Sequence, residues 1–224
     1  MSTVKVKICG ITREEDLEAA CRFGADMVGF VVEVPSSPRN LSIERAEYLF
    51  RLVPHNVKSV LVTVPSSLDQ LLETYKRVKP DIIQLHGDGV KDYDLLREKL
   101  PKVFLVKALA IGYDAVTKAV DLMPFFDGFH ADTHSAGKHG GTGIVHDWNL
   151  SRRLKEVVHP KPVILAGGLN PWNVRDAIRT VKPYAVDVSS GVESKPGIKD
   201  HLLMEAFIRN AKNESFKTVR RKAV

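Results

Sequence analysis

The strongest constraint on this chain is a regular alternation between two hydrophobic periods. Short β-branched, apolar runs at 4–8, 26–32, 57–62, 82–85, 103–107, 128–131, 163–166 and 185–188 each precede a stretch with helical spacing. The helical stretches fall at 13–23, 43–52, 68–78, 91–100, 114–122, 150–158, 171–181 and 201–212. Strands and helices that alternate at this spacing make βαβ units and a parallel sheet. Eight units within residues 1–213 leave about 27 residues each, close to the minimum for a βα repeat. The sequence therefore predicts an α/β fold, a single (β/α)8 TIM barrel over 1–213, with a basic tail at 214–224 expected to fray. An open doubly wound sheet also alternates, but nothing in it requires eight units.

No Pro/Gly/Ser-rich linker divides the chain, so one domain is expected. Helix punctuation agrees. Thr12 precedes Arg13-Glu14-Glu15, the pattern of a capping box. Asn170 precedes Pro171, a cap residue followed by proline at the first helical position. Gly24 follows Phe23, where a first helix would end.

The formal net charge is +6. Lys217, Arg220, Arg221 and Lys222 against Glu214 place +3 of it in the tail, leaving +3 for the rest. A nucleic-acid surface would show a basic stripe inside the fold, and none is visible, so no nucleic-acid partner is expected. No apolar run approaches the roughly 20 residues of a membrane span. The N-terminus opens directly into a strand pattern without a secretory signal. A cytoplasmic protein with no membrane partner is expected. Cys9 and Cys21 are no disulfide framework. Nothing in the chain sets the oligomeric state, and a homodimer stays open.

Strand parity gives a finer reading. In Val4-Lys5-Val6-Lys7-Ile8-Cys9 the apolar set suits the helix layer, which turns Lys7 and Cys9 inward with Cys9 at the C-terminal mouth. By the same count Gln84 shares a face with His86, His130 with Asp132, and Asp187 with Ser189, while Lys107 ends the fifth strand. Polar groups thus gather where barrel enzymes build active sites.

Three glycine-rich segments follow the last three strands: Gly140-Gly141-Thr142-Gly143, Ala166-Gly167-Gly168-Leu169 and Ser189-Ser190-Gly191. Any one alone reads as a tight turn. Together they suggest a phosphate clamp, because successive backbone N–H groups form an anion nest there. Position alone leaves Cys9 open between a small buried residue and a base favoured by nearby Lys7. Asp132 ends the sixth strand, which leaves it open between a hydrogen bond to a loop amide and, since it lies across the barrel from Cys9, one half of an acid/base pair over a bound substrate. Arg39, in Ser37-Pro38-Arg39, reads as a solvated loop residue unless a carboxylate meets it. His86 ends the fourth strand and reads either as a group supporting the substrate contacts or as simply structural. His130, His134, His139 and His146 fit no metal-binding pair such as His-Glu-x-x-His, so no metal is expected.

These segments in order carry a resemblance. Lys7-Ile8-Cys9-Gly10-Ile11-Thr12, Ser37-Pro38-Arg39, Gln84-Leu85-His86-Gly87, Asp132-Thr133, Gly140-Gly141-Thr142-Gly143, Ala166-Gly167-Gly168-Leu169-Asn170-Pro171 and Asp187-Val188-Ser189-Ser190-Gly191-Val192-Glu193 together resemble the phosphoribosylanthranilate isomerase family of tryptophan biosynthesis. The likeness runs from the first strand to about residue 212. Its opening and closing motifs are the specific ones.

The resemblance implies an Amadori rearrangement of a phosphorylated aminoaldose to the aminoketose, with no cofactor. It implies that Cys9 is the general base and Asp132 the general acid. Arg39 would meet the anthranilate carboxylate, and Gly141, Gly143, Gly167, Gly168, Ser189, Ser190 and Gly191 would surround the phosphate. His86 and Asp187 join the expected substrate contacts. The chain departs from the family pattern in the loop Glu33-Val34-Pro35-Ser36, which lacks an aromatic, in Val62-Thr63-Val64-Pro65, and in His130-Ala131 before Asp132. Those changes touch the aryl pocket and bear on substrate breadth. Two rivals remain: another phosphosugar barrel, which needs a different acid/base set, and a non-catalytic phosphate-binding module, which would lack one of the pair.

Overall fold

The computed structural model describes residues 2–133 and 146–216. Eight parallel strands close into a barrel: β1 Lys5–Cys9, β2 Met27–Val32, β3 Lys58–Thr63, β4 Ile82–Leu85, β5 Phe104–Ile111, β6 Gly128–Thr133, β7 Val163–Leu165 and β8 Ala185–Val188. Each strand pairs with its sequence neighbour, and β1 closes the ring by pairing with both β8 and β2. Outside lie α1 Glu14–Arg22, α2 Ile43–Arg51, α3 Leu68–Val78, α4 Tyr93–Lys99, α5 Ala115–Leu122, α6 Trp148–Val158, α7 Val174–Val181 and α8 His201–Lys212.

The alternation predicted every barrel element; the ends differ for local reasons. β5 runs on to Ile111 because its ladder with β6 continues to Ile111 opposite Thr133. Thr12 is not a helix cap. Arg13 takes that place without a side-chain cap, and Thr12 Oγ1 instead donates to the Gly197 carbonyl at 2.5 Å. Asn170 is not the helix cap either, since Asn173 takes that place; its Oδ1 instead holds the preceding turn, accepting from the Trp172 and Asn173 amides at 2.9 and 3.1 Å. The turn it holds delays regular helix until Val174. Beyond the barrel, Ser215–Phe216 pairs antiparallel with Ser2–Thr3, and the rest of the basic tail lies outside the described residues.

Two cores result from the strand alternation. Val4, Val6 and Ile8 pack under the helices, whereas Cys9 joins Met27, Val60, Ile82, Val106 and Ile164 inside the barrel. The period of two thus places Lys7 and Cys9 inward, as expected. It places Lys107 differently. Val106 is the inward residue there, and Lys107 shares the outer face with Leu105 and Leu109. Its ammonium bonds the Gly87 carbonyl and lies 3.5 Å from Asp88 Oδ1, so it braces a loop and is absent from the mouth. Among the described residues no helix is long and apolar enough to cross a membrane.

Candidate active site

A cavity opens at the C-terminal ends of the strands. Cys9 and Asp132 both line it, from the ends of β1 and β6. So do Arg39, His86 and Asp187. The loops after β7 and β8 complete the wall with Gly167, Gly168, Ser189, Ser190 and Gly191. Gly141 and Gly143 lie outside the described residues.

The floor is a buried polar network. Lys7 Nζ donates to Asp187 Oδ2 and Gln84 Oε1, each at 2.9 Å. His130 Nε2 donates to the same Asp187 oxygen at 2.7 Å. Gln84 Nε2 meets His86 Nε2 at 2.8 Å, which makes that ring nitrogen the acceptor. Burial works against a charged Asp187, but Lys7 and His130 outweigh it and hold its carboxyl at about 2. Burial likewise opposes the Lys7 charge, and Asp187 overcomes it, leaving the ammonium above its ordinary range. Room for this network comes from Gly29 on β2. A Cβ there would lie 3.0 Å from Cys9 Sγ and 3.1 Å from Lys7 Cε.

The Cys9 thiol differs from expectation in one respect. Burial pushes it above its ordinary value; Lys7 and Lys199 oppose this and Asp187 reinforces it. Lys7 spends much of its field on Asp187, two residues before the mouth, so it does not by itself make a thiolate. On the other side of the cavity, Asp132 Oδ1 accepts the Thr133 amide at 2.8 Å, which fixes the carboxyl at the strand end. His146 packs close by, with Nδ1 3.2 Å from Thr133 Oγ1 and Nε2 2.6 Å from Ser151 Oγ.

Arg39 is not a solvated loop residue. Its Nε and Nη2 donate to Glu193 Oε1 and Oε2 at 2.8 and 2.5 Å, a two-bond fork that aims the guanidinium. Glu193 ends the last quoted motif, yet no role was read for it. The partners lie 154 residues apart in sequence, and only barrel closure joins them.

The loops after β7 and β8 suit an anion. Gly167 and Gly168 both take left-handed φ, 82° and 67°, and Asn173 Nδ2 pins the Gly168 carbonyl at 2.9 Å. At Gly191 a Cβ would overlap the Leu169 carbonyl oxygen at 2.0 Å, so glycine is what lets the two loops close on each other. Two buried polar atoms of cavity-lining residues, Asp187 Oδ1 and Ser189 Oγ, have no hydrogen-bond partner among the described residues. One wall was missed at the sequence level: Val31, Val34, Val62 and Val64 face the cavity as an apolar surface. Strand parity places Val62 and Val64 on one side and could have found them. Among the described residues, no group of three or more His, Cys, Asp or Glu is placed to hold a metal.

Fold and mouth together define a (β/α)8-barrel enzyme, with its polar groups at the C-terminal ends of the strands. Comparison with known proteins gives the particular kind. Residues 6–210 match the family model for N-(5'-phosphoribosyl)anthranilate (PRA) isomerase. The chain is 45% identical over 210 residues to N-(5'-phosphoribosyl)anthranilate isomerase of Haloferax volcanii, covering 93% of each. It is similar to a structure of monomers of the dimeric phosphoribosylanthranilate isomerase from Thermotoga maritima, with a TM-score of 0.80 and 36% identity over 94% of this chain and 100% of that one. A phosphoribosyl anthranilate isomerase in complex with reduced 1-(o-carboxyphenylamino)-1-deoxyribulose 5-phosphate matches equally, at 0.80 and 36% over the same shares. The chain belongs to the N-(5'-phosphoribosyl)anthranilate isomerase family.

Proposed function

We propose that this chain converts N-(5'-phosphoribosyl)anthranilate to 1-(2-carboxyphenylamino)-1-deoxyribulose 5-phosphate, an Amadori rearrangement of tryptophan biosynthesis. The observation that carries the reading is the pairing of Cys9 and Asp132 on one cavity beside loops suited to a phosphate.

Asp132, protonated, gives its proton to the furanose oxygen, and the ring opens to an iminium. Cys9 then takes the proton from the adjacent carbon, C2, and the resulting enaminol becomes the ketone. The thiol is raised in the free enzyme. The cationic iminium supplies the extra positive charge that favours thiolate at the moment it is needed. It is also the electron sink, so the chemistry calls for no metal or organic cofactor. Each acid/base group contributes about 10² to 10⁴ in rate.

The remaining residues bind and orient. Ser189, Ser190, Gly191, Gly167 and Gly168, joined by Gly141 and Gly143, take the phosphate. Asp187 Oδ1 and Ser189 Oγ, buried without partners among the described residues, are suited to a sugar hydroxyl and a phosphate oxygen. Arg39, aimed by Glu193, faces the carboxylate. The valine wall takes the aryl ring in place of aromatic side chains. His86 supports the mouth through Gln84. A homodimer is the proposed assembly, from the likeness to the dimeric Thermotoga enzyme; a monomer mass in sedimentation at micromolar protein would contradict it. The function is tested by following the anthranilate-type fluorescence of the aminoaldose. Its enzyme-dependent loss without release of free anthranilate supports the reading, and persistence of the fluorescence with folded enzyme overturns it.

A further inference from the structure

Lys199 is a buried cation for which neither the fold nor the reaction so far supplies a use. It closes a small hairpin after β8, in which Glu193–Lys195 pairs antiparallel with Ile198–Lys199 and Glu193 stands opposite Lys199. Its side chain is fully sealed from solvent. An ammonium has three donors, and three acceptors meet this one. They are the Cys9 carbonyl at 2.6 Å, Glu193 Oε1 at 2.9 Å and the Ser189 carbonyl at 3.2 Å. Its own backbone is held from the far side, where Asp16 Oδ2 accepts the Lys199 amide at 3.1 Å and Asp16 Oδ1 meets His201 Nε2 at 2.8 Å.

Those three acceptors belong to three different parts of the site. Cys9 is the end of β1, Ser189 begins the anion loop after β8, and Glu193 aims Arg39. Stability alone does not explain the arrangement. A methionine would fill the same volume without a buried charge, and such replacements are often neutral or stabilising when the whole pair is exchanged.

We propose that Lys199 is a positioning residue of the active site: one buried ammonium ties the Cys9 strand end, the anion loop and the Glu193–Arg39 fork into a single unit and sets the charge beside the Cys9 thiol. The role given to Cys9 and Arg39 here rests on the proposed function. The charged groups facing Cys9 among the described residues are Lys7 on its own strand, Asp187 on β8, Arg39 on the loop after β2 and Lys199 on the hairpin. Glu193 stands behind the last two and offsets both. Burial pulls the Lys199 ammonium below its ordinary value and Glu193 opposes that, so it is the Glu193-held charge that a Lys199 variant removes from the thiol's surroundings. Removing the Glu193 charge leaves two cations there without their offset.

The opposite signs give the test. In a Cys21→Ser background, alkylation of Cys9 by iodoacetamide is followed against pH by mass spectrometry, with circular dichroism reporting the fold. Lys199→Met should move the alkylation midpoint up by about one pH unit, and Glu193→Gln should move it down by a similar amount. A merely structural hairpin would move both variants in the same direction, or neither, and either result overturns the proposal. If Lys199→Met does not fold, Glu193→Gln decides alone: a downward shift supports the proposal and an unmoved midpoint rejects it. Alkylation needs no substrate. A chain that acted on a different aminoaldose would fail the fluorescence assay and still pass this one.

Discussion

Lys7 Nζ lies 2.9 Å from Asp187 Oδ2, with the side chains 0% and 5% exposed, beneath the end of the strand that carries Cys9. A pair this deep is justified by its geometry and by two further bonds, one that Lys7 gives to Gln84 Oε1 and one that Asp187 receives from His130. Breaking it leaves a buried carboxylate short of a cation. Lys7→Met should therefore cost about 3 to 5 kcal/mol of stability, read by urea unfolding. A loss below about 1 kcal/mol would mean that Asp187 is satisfied without it.

Asp187 also sets an acid limit. Its folded value of about 2 lies below the ordinary 3.8. A depressed carboxyl contributes stability above its unfolded value, and that contribution is lost as pH falls through the folded one. The contribution is about 2 kcal/mol, fading between roughly pH 4 and pH 2. Asp187→Asn should flatten the stability–pH curve in that window. A curve as steep as the wild type there would assign the acid limit to another group.

Cys9→Ala and Asp132→Asn should each abolish turnover while a product analogue still binds. Near-normal turnover in either variant contradicts the assigned roles. Because burial raises the free thiol, alkylation of Cys9 by iodoacetamide should keep rising with pH through the ordinary thiol range near about 8.5. A plateau well below that range would contradict a thiol held up by burial.

Arg39→Ala should act mainly on KM, raising it about 10- to 100-fold through loss of a charged hydrogen-bonding partner. A fall in kcat with KM unchanged would withdraw the carboxylate contact. Glu193 makes this prediction sharper, since the fork it holds leaves the guanidinium little freedom to swing.

What the sequence made legible follows from short-range periodicity. Eight repeats of strand and helix gave the barrel, and the two-residue alternation of β1 turned Lys7 and Cys9 inward. Lys107 escaped the same logic because β5 turns Val106 inward and runs four residues past Lys107, to Ile111, so that Lys107 does not end it. The Glu193–Arg39 fork and the bond from Lys199 to Cys9 were beyond such reasoning. Their partners are 154 and 190 residues apart and meet only where β8 closes on β1. Thr12 shows the same limit locally: its pattern matched a cap, yet the Gly197 carbonyl competes for its hydroxyl from the far end of the chain.

The central claim is that Cys9 and Asp132 move protons between C2 and the sugar ring to turn an aldose into a ketose. The most direct measurement is NMR of aminoaldose labelled with ¹³C at C2 and incubated with the purified chain. The account predicts that wild type moves the label from a hydroxyl-bearing carbon to a ketone carbon, and that Cys9→Ala and Asp132→Asn leave it in place. A label that stays a carbinol with folded wild type, or reaches the ketone at near-normal rate without Cys9, would contradict it.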